Sequence, residues 1–300
     1  MGIKIAVYPK CFEYDIGLYH TMSVFDWIAM ARGNVDVEGL ELYDRFLTSL
    51  DRDYLLRVAD AVHEAGFVIP MFICSPDFTN PDRDERKRAL EYEAKMVEVT
   101  HLFGGQGAVC RILSGQQYPG VSREQGVAWV IEAINQLIPV ARSYGVILGM
   151  ENHYKDSQWK FPEFALKMDV FLEIIKGIDE RSFFGVQYDP SNAIVAGDDP
   201  IELLNAVRDR VVSMHASDRY FKKGVTQEQL DQSRGTMGYA PHLIHGVIGK
   251  GLNDYDRIFQ ILSGEGFKGW VSIEDGMNGL DEMRASARFL QALRARYFPD

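Results

Sequence analysis

The sequence predicts an α/β fold, a single (β/α)8 TIM barrel spanning residues 1–300, on three observations. Short β-rich runs alternate eight times with longer stretches of helical periodicity. The runs are apolar throughout rather than alternating apolar with polar, as expected of strands buried on both faces in a parallel sheet. A length of 300 residues fits one barrel, a fold that uses about 250 residues as one domain.

Ile3 to Val7 is the first strand, and Ser23 to Met30, with its Ser/Asp start, the first helix. Val37 to Tyr43 precedes a helix from Asp51 to Ala65 that Gly66 ends. Phe67 to Ile73 precedes Arg83 to Phe103, which stops at Gly104-Gly105. Ala108 to Leu113 is the fourth strand. Ser122 to Gln125 then offers a capping box for a helix running to about Tyr144. Val146 to Met150 and a helix from Phe164 to Lys176 form the fifth unit, Phe183 to Gln187 and Ile201 to Val207 the sixth. Val211 to Met214 with Asp254 to Leu262, and Trp270 to Ile273 with Asp281 to Tyr297, complete eight. Two connections exceed the barrel minimum: His153 to Pro162 after the fifth strand and Ser217 to Asn253 after the seventh. The mixed-sign run Asp82 to Arg88 reads as a solvated helix face.

Composition narrows the partners. A hydrophobic fraction of 46% and a charged fraction of 25% are those of an ordinary globular protein. A net charge of -11 opposes a phosphate backbone, so no nucleic acid is expected as partner. Cys11, Cys74 and Cys110 are odd in number and widely spaced in apolar stretches, against a disulfide framework or a cysteine zinc site. No signal peptide or membrane span is evident, so a cytoplasmic location is expected.

In such a barrel the active site is built from strand ends and the loops after them. Glu151, Asp189, His215 and Glu274 end strands five, six, seven and eight, consecutive around the ring. Three carboxylates and one imidazole form a hard, mostly oxygen-donor set that suits Mn2+, Mg2+ or Co2+, with Zn2+ as an alternative. An acid ending an apolar strand faces costly burial without a partner, which favours a metal over coincidence. For Asp189, followed by Pro190-Ser191, a helix N-cap is the competing reading. His153, next to this site, is the candidate general base, with a pKa naturally near neutrality. Glu41, Arg111, Trp159, Asp218 and Arg219 are candidates for holding substrate hydroxyls. The insertion from Tyr220 to Gly246, with Gln227, Gln229, Gln232, Arg234, Tyr239, His242 and His245, is expected to cover the site or meet a neighbouring subunit. No glycine-rich phosphate cradle stands out, favouring an unphosphorylated substrate.

Five segments carry a family likeness: Met150-Glu-Asn-His153; Tyr188-Asp-Pro-Ser-Asn192 with Ala196-Gly-Asp-Asp-Pro200; Met214-His-Ala-Ser-Asp218; Gly249-Lys-Gly-Leu-Asn-Asp254; and Val271-Ser-Ile-Glu274. In order and over nearly the whole chain, they resemble the xylose isomerase-like barrel superfamily. The resemblance implies one divalent metal, manganese first, held by Glu151, Asp189, His215 and Glu274. It also implies acid and base roles for Glu151 and Glu274, as in ketose epimerases of the superfamily. Those epimerases usually carry a His three residues after the Asp ligand, where this chain has Asn192, so half of that template is intact. The expected function is that of an isomerase or epimerase acting on a keto-sugar or related polyol through a metal-stabilised enediolate. The alternative is a lyase of the same superfamily, resembling inosose dehydratases or C-glycoside deglycosidases, acting on a 3-oxo sugar or cyclitol. The superfamily's endonuclease branch needs a histidine-rich zinc cluster, against which stand only seven histidines. The expected partners are a small sugar-like substrate and other copies of the chain, or a small accessory subunit in a hetero-oligomer.

Overall fold

The computed structural model describes residues 2–226, 228–229, 232 and 242–299. Parallel strands lie side by side in the order β2 (Gly39–Leu40), β1 (Lys4–Val7), β11 (Trp270–Ile273), β8 (Val211–Ala216), β7 (Phe184–Tyr188), β6 (Ile147–Glu151), β5 (Val109–Ile112), β4 (Met71–Ile73) and β3 (Leu42–Tyr43). The two ends of this order are one stretch of chain. β2 pairs with β1 and β3 with β4, and a further parallel bridge joins Gly39 to Val68, so this one stretch reaches both neighbours around Glu41. The amide of Glu41 bonds Val7 O at 3.0 Å, whereas that of Leu40 bonds Val68 O at 2.9 Å. The predicted second strand is therefore two short strands, and the ring is a nearly closed (β/α)8 barrel.

Helices surround it: α1 (Glu13–Gly17), α2 (Val24–Ala31), α3 (Arg52–Glu64), α4 (Arg83–Gly104), α5 (Arg123–Tyr144), α6 (Met168–Lys176), α7 (Pro190–Ala196), α8 (Pro200–Val207), α9 (Tyr255–Gly264) and α10 (Leu280–Tyr297). Their starts follow from local chemistry. Ser23 and Asp26 form a reciprocal capping box at α2. Ser122 accepts the Gln125 amide at 3.2 Å, the first half of the expected box at α5, whereas no return bond from the Gln125 side chain forms. At the other end Gly145, with φ +68°, closes α5 in the left-handed region. The helix expected from Phe164 begins only at Met168, because Phe164 N bonds Gly115 O (2.7 Å) and Ala165 N bonds Ser114 Oγ (3.0 Å). Those bonds tie the segment to the loop after β5.

The core lies between barrel and helices, where Trp27, Phe72, Phe184 and Phe259 are fully buried. Truncating one such aromatic costs roughly 3–5 kcal/mol. Cys11, Cys74 and Cys110 are free thiols. Among the described residues no helix is long and apolar enough to cross a membrane.

The loop after β8 holds an antiparallel hairpin, β9 (Arg219–Phe221) with β10 (Leu243–His245), in which Arg219 faces His245. Of the insertion residues singled out above, Gln227, Arg234 and Tyr239 lie outside the described residues.

Candidate metal centre and its cavity

Parallel strands place their ends at one rim, and four of these ends carry the ligand types expected there. One ligand atom from each of Glu151, Asp189, His215 and Glu274 lies within 4.8 Å of the others, and all four residues are buried. His215 Nδ1 is 3.1 Å from Glu151 Oε1 and 3.3 Å from Glu274 Oε2. Its other nitrogen, Nε2, is 2.8 Å from Glu41 Oε2, and Ser272 Oγ donates to the second Glu41 oxygen. Glu41 thus fixes the imidazole so that Nδ1 faces the cluster, as a carboxylate does behind a metal-binding histidine.

Electrostatics fit a cation at this point. Burial raises the Asp189 carboxyl, and the charges of Glu274 and Glu151 add to it, giving a pKa of about 7. Burial also acts against ionised Glu151, but Arg111 and His215 override it and hold Glu151 at about 2. Glu274 is likewise held well below the usual carboxylate range, with Lys10 and His215 outweighing burial. Buried, mutually repelling oxygens around one imidazole are what a divalent ion neutralises.

Neighbouring residues hold the ligands in place. Asp189 is the N-cap of α7, accepting the Asn192 amide at 3.0 Å, and it also accepts from Ser217 Oγ at 2.9 Å. The N-cap and ligand readings of Asp189 are therefore compatible. Asn192 Nδ2 reaches Glu151 Oε1 at 3.3 Å, occupying the place where epimerase relatives were expected to carry a histidine. Asn152 bridges to the Asp189 backbone in both directions, at 2.6 and 2.8 Å. Arg111 donates to Glu151 Oε2 (2.7 Å), Cys74 O (2.9 and 3.1 Å) and Ser75 Oγ (2.8 Å).

Beside the cluster open two adjoining cavities of about 270 and 200 Å³. His153 lines both, and its Nδ1 is 3.4 Å from Glu163 Oε2. Neither atom has an aligned hydrogen-bond partner. Burial pulls the His153 pKa down, but Glu151 and Glu163 outweigh it and leave it above the ordinary value. Arg111 lines the first cavity and Arg219 the second.

Three residues expected to hold substrate hydroxyls lie away from the lining of these cavities. Glu41 is fully buried behind His215 and points at the imidazole rather than the opening. Trp159, only 8% exposed, lines neither cavity. Asp218 accepts from the amides of Gly249 (2.9 Å), Gly251 (2.9 Å) and Asn253 (3.2 Å), so it clamps the Gly249-Lys-Gly251 turn. A Cβ at Gly251 would collide with that Asp218 carboxylate, which explains the glycine.

Sequence reasoning missed Lys10 and Glu163, and it named His245 only as one residue of the insertion expected to cover the site. Lys10 Nζ is 3.1 Å from Glu274 Oε1 and 3.2 Å from Glu13 Oε2. Its position just beyond β1 was a usable signal, the same one that found the quartet. Glu163 and His245 come from the two long loops, where no strand end marks them. Burial, followed by the positive charges of Arg219 and Lys10, lowers the His245 pKa to about 2, so the ring is neutral near pH 7.

Residues 25–293 match the family model described as "Xylose isomerase-like TIM barrel". A probable endonuclease 4 of Acholeplasma laidlawii is 27% identical over 192 residues, covering 63% of this chain and 60% of that protein. An inosose dehydratase of Lacticaseibacillus casei is 25% identical over 117 residues, covering 38% of this chain and 36% of that protein. The matches thus span less than two thirds of these relatives. A solved L-ribulose 3-epimerase superposes with a TM-score of 0.73 at 13% identity, covering 98% of this chain and 95% of the other. The endonuclease likeness removes support for excluding nucleic acid on net charge, which describes the whole surface and not the cavity mouth. Relatives of this kind are enzymes, and the chain belongs to the xylose isomerase-like TIM barrel family.

Proposed function

We propose that the chain is an isomerase or epimerase that moves a proton next to the carbonyl of a keto-sugar or related polyol. It does so with one divalent ion, manganese first, held by Glu151, Asp189, His215 and Glu274. The carrying observation is the buried quartet of converging donors, with His153 on the wall of the adjoining cavity. When bound, such an ion supplies Lewis acidity toward neighbouring substrate oxygens.

The protein's own groups divide the remaining work. His153 accepts the proton from carbon, and Glu163 orients the ring and offsets the charge it gains. Arg111 and Lys10 keep Glu151 and Glu274 ionised, which makes these carboxylates good ligands and weak bases. Arg111 and Arg219 hold substrate oxygens at the cavity wall.

A second reading, a lyase that expels a leaving group after the same proton abstraction, has one specific support. With both glutamates held by cations, His153 is the better base, and removal of a proton from one face suffices for elimination. The partial likeness to an inosose dehydratase points the same way.

NMR in D₂O with the Mg2+-loaded enzyme and a panel of ketoses, inososes and 3-oxo-glycosides, each in neutral and carboxylated form, separates the readings. Deuterium incorporation into a rearranged sugar of unchanged formula is the expected result. Release of water, CO₂ or an aglycone moves the chain to the lyases, and no reaction across the panel contradicts both.

A further inference from the structure

The smaller cavity, about 200 Å³, is lined by three cationic side chains, Lys10, Lys155 and Arg219. Lys10 is committed to Glu13 and Glu274. The other two differ. Among the described residues, neither the Lys155 ammonium nor the Arg219 guanidinium makes a hydrogen bond or ion pair with a side chain, and Arg219 Nε is buried without a partner. The acids nearest Arg219 are engaged elsewhere. Asp275 accepts from the Asp218 amide and pairs with His245 Nδ1 at 2.8 Å, and Asp189 accepts from Ser217 and Asn192. They hold the guanidinium by charge at a distance without satisfying its donors.

Arg219 is half-buried, and a buried Nε–H without an acceptor is costly, a cost that a ligand oxygen accepting from it removes. Arg219 stands on β9 and Lys155 on the loop after β6, so the two reach the cavity from separate elements. His153 and Glu274 line the same space. A group held between Lys155 and Arg219 therefore belongs to a molecule that also reaches the base and the metal-site carboxylates.

Building on the function proposed above, we infer that the substrate is a sugar acid or carboxylated cyclitol whose carboxylate is clasped between Arg219 and Lys155. A guanidinium fork matches a carboxylate's two oxygens. The choice of carboxylate over phosphoryl follows from the cavity's lining, which among the described residues holds no glycine to bring backbone amides around a phosphoryl group.

Calorimetric titration of the Mg2+-loaded full chain tests the clasp without turnover, using D-glucuronate, D-glucose and inorganic phosphate as probes. Glucuronate is expected to bind, glucose to bind at least about tenfold more weakly, and added salt to weaken the glucuronate affinity. Lys155→Met and Arg219→Gln should each weaken glucuronate about tenfold or more while leaving metal affinity unchanged. Lys155 is partly exposed, so its replacement tests the idea even if the Arg219 variant fails to fold. Equal binding of glucose and glucuronate, or glucuronate affinity unchanged in Lys155→Met, overturns the inference; in the latter case the carboxylate sits on the metal instead. Phosphate binding without glucuronate binding overturns the carboxylate assignment. Failure of the D₂O experiment with glucuronate binding intact removes the isomerase reading and leaves the clasp standing.

Discussion

Glu151 and His153 are near neighbours in the chain but belong to differently built regions. Glu151 ends β6, in parallel register with β5 and β7, and its oxygens meet Arg111, His215 and Asn192. His153 stands on the loop beyond, held by one unaligned approach to Glu163 at 3.4 Å. Backbone ladders fix the first position, whereas among the described residues one side chain, Glu163, guides the second. On this account the strand ends bind the metal and the loops carry base and selectivity, so substitutions in the two regions should fail in different ways.

The largest effect is expected from Glu151→Gln or Glu274→Gln. Each removes an anionic ligand, and both metal content, by elemental analysis, and turnover should be lost. His153→Ala should lose turnover by about 10²–10⁴-fold while the metal content stays at the wild-type level. Full activity in that variant would rule out His153 as the base, and loss of metal would erase the distinction between the regions.

Glu41→Gln tests whether a residue with no place in the cavity acts through His215. It should weaken metal affinity about 10–100-fold, as for other partners of metal-binding histidines, with a smaller effect on turnover at saturating metal. Unchanged affinity would make Glu41 a bystander.

A smaller effect, on stability rather than chemistry, is expected in the loop after β6. Asp156 accepts from Tyr43 (2.6 Å), Ser75 (2.7 Å) and Arg45 (3.1 Å). Burial acts against its charge, but Arg45 and the hydroxyl bonds prevail and lower its pKa to about 2 from 3.8. A carboxylate depressed in the folded state stabilises it above the unfolded pKa, and that contribution disappears as pH falls through the folded one. This amounts to about 2 kcal/mol, present above pH 3.8 and lost toward pH 2. Asp156→Asn should flatten the acid limb of thermal unfolding curves over that window, whereas an unchanged limb would assign acid sensitivity to other groups.

The same contrast explains what was legible in the sequence. The quartet could be read because an apolar strand announces where it ends, and polar residues at four consecutive ends can converge at one rim. The depth of Glu41 was not legible because sequence does not say how far inside a strand-end carboxylate lies, and its bond to His215 is a tertiary event. α7 was missed because its seven residues follow Asp189 directly and are too few to show a helical period. His245 and Glu163 reach the site only through loop geometry. The glycine pattern Gly249-Lys-Gly251 was read as family likeness, and its physical content, a turn wrapped on Asp218, needed coordinates.

The most direct measurement is Mn2+ binding to the purified chain as a function of pH, with stoichiometry and affinity both read. One tightly bound ion per chain is expected. Its binding displaces protons from Asp189, with a metal-free pKa of about 7, and from His215, whose pKa is raised well above its usual value by Glu274, Glu41 and Glu151 against the opposing effect of burial. Affinity should therefore climb with pH, more steeply below pH 7 where both protons must leave than above it. No tight ion, or one retained after Glu151→Gln and Glu274→Gln with a pH-independent affinity, would contradict the account at its centre.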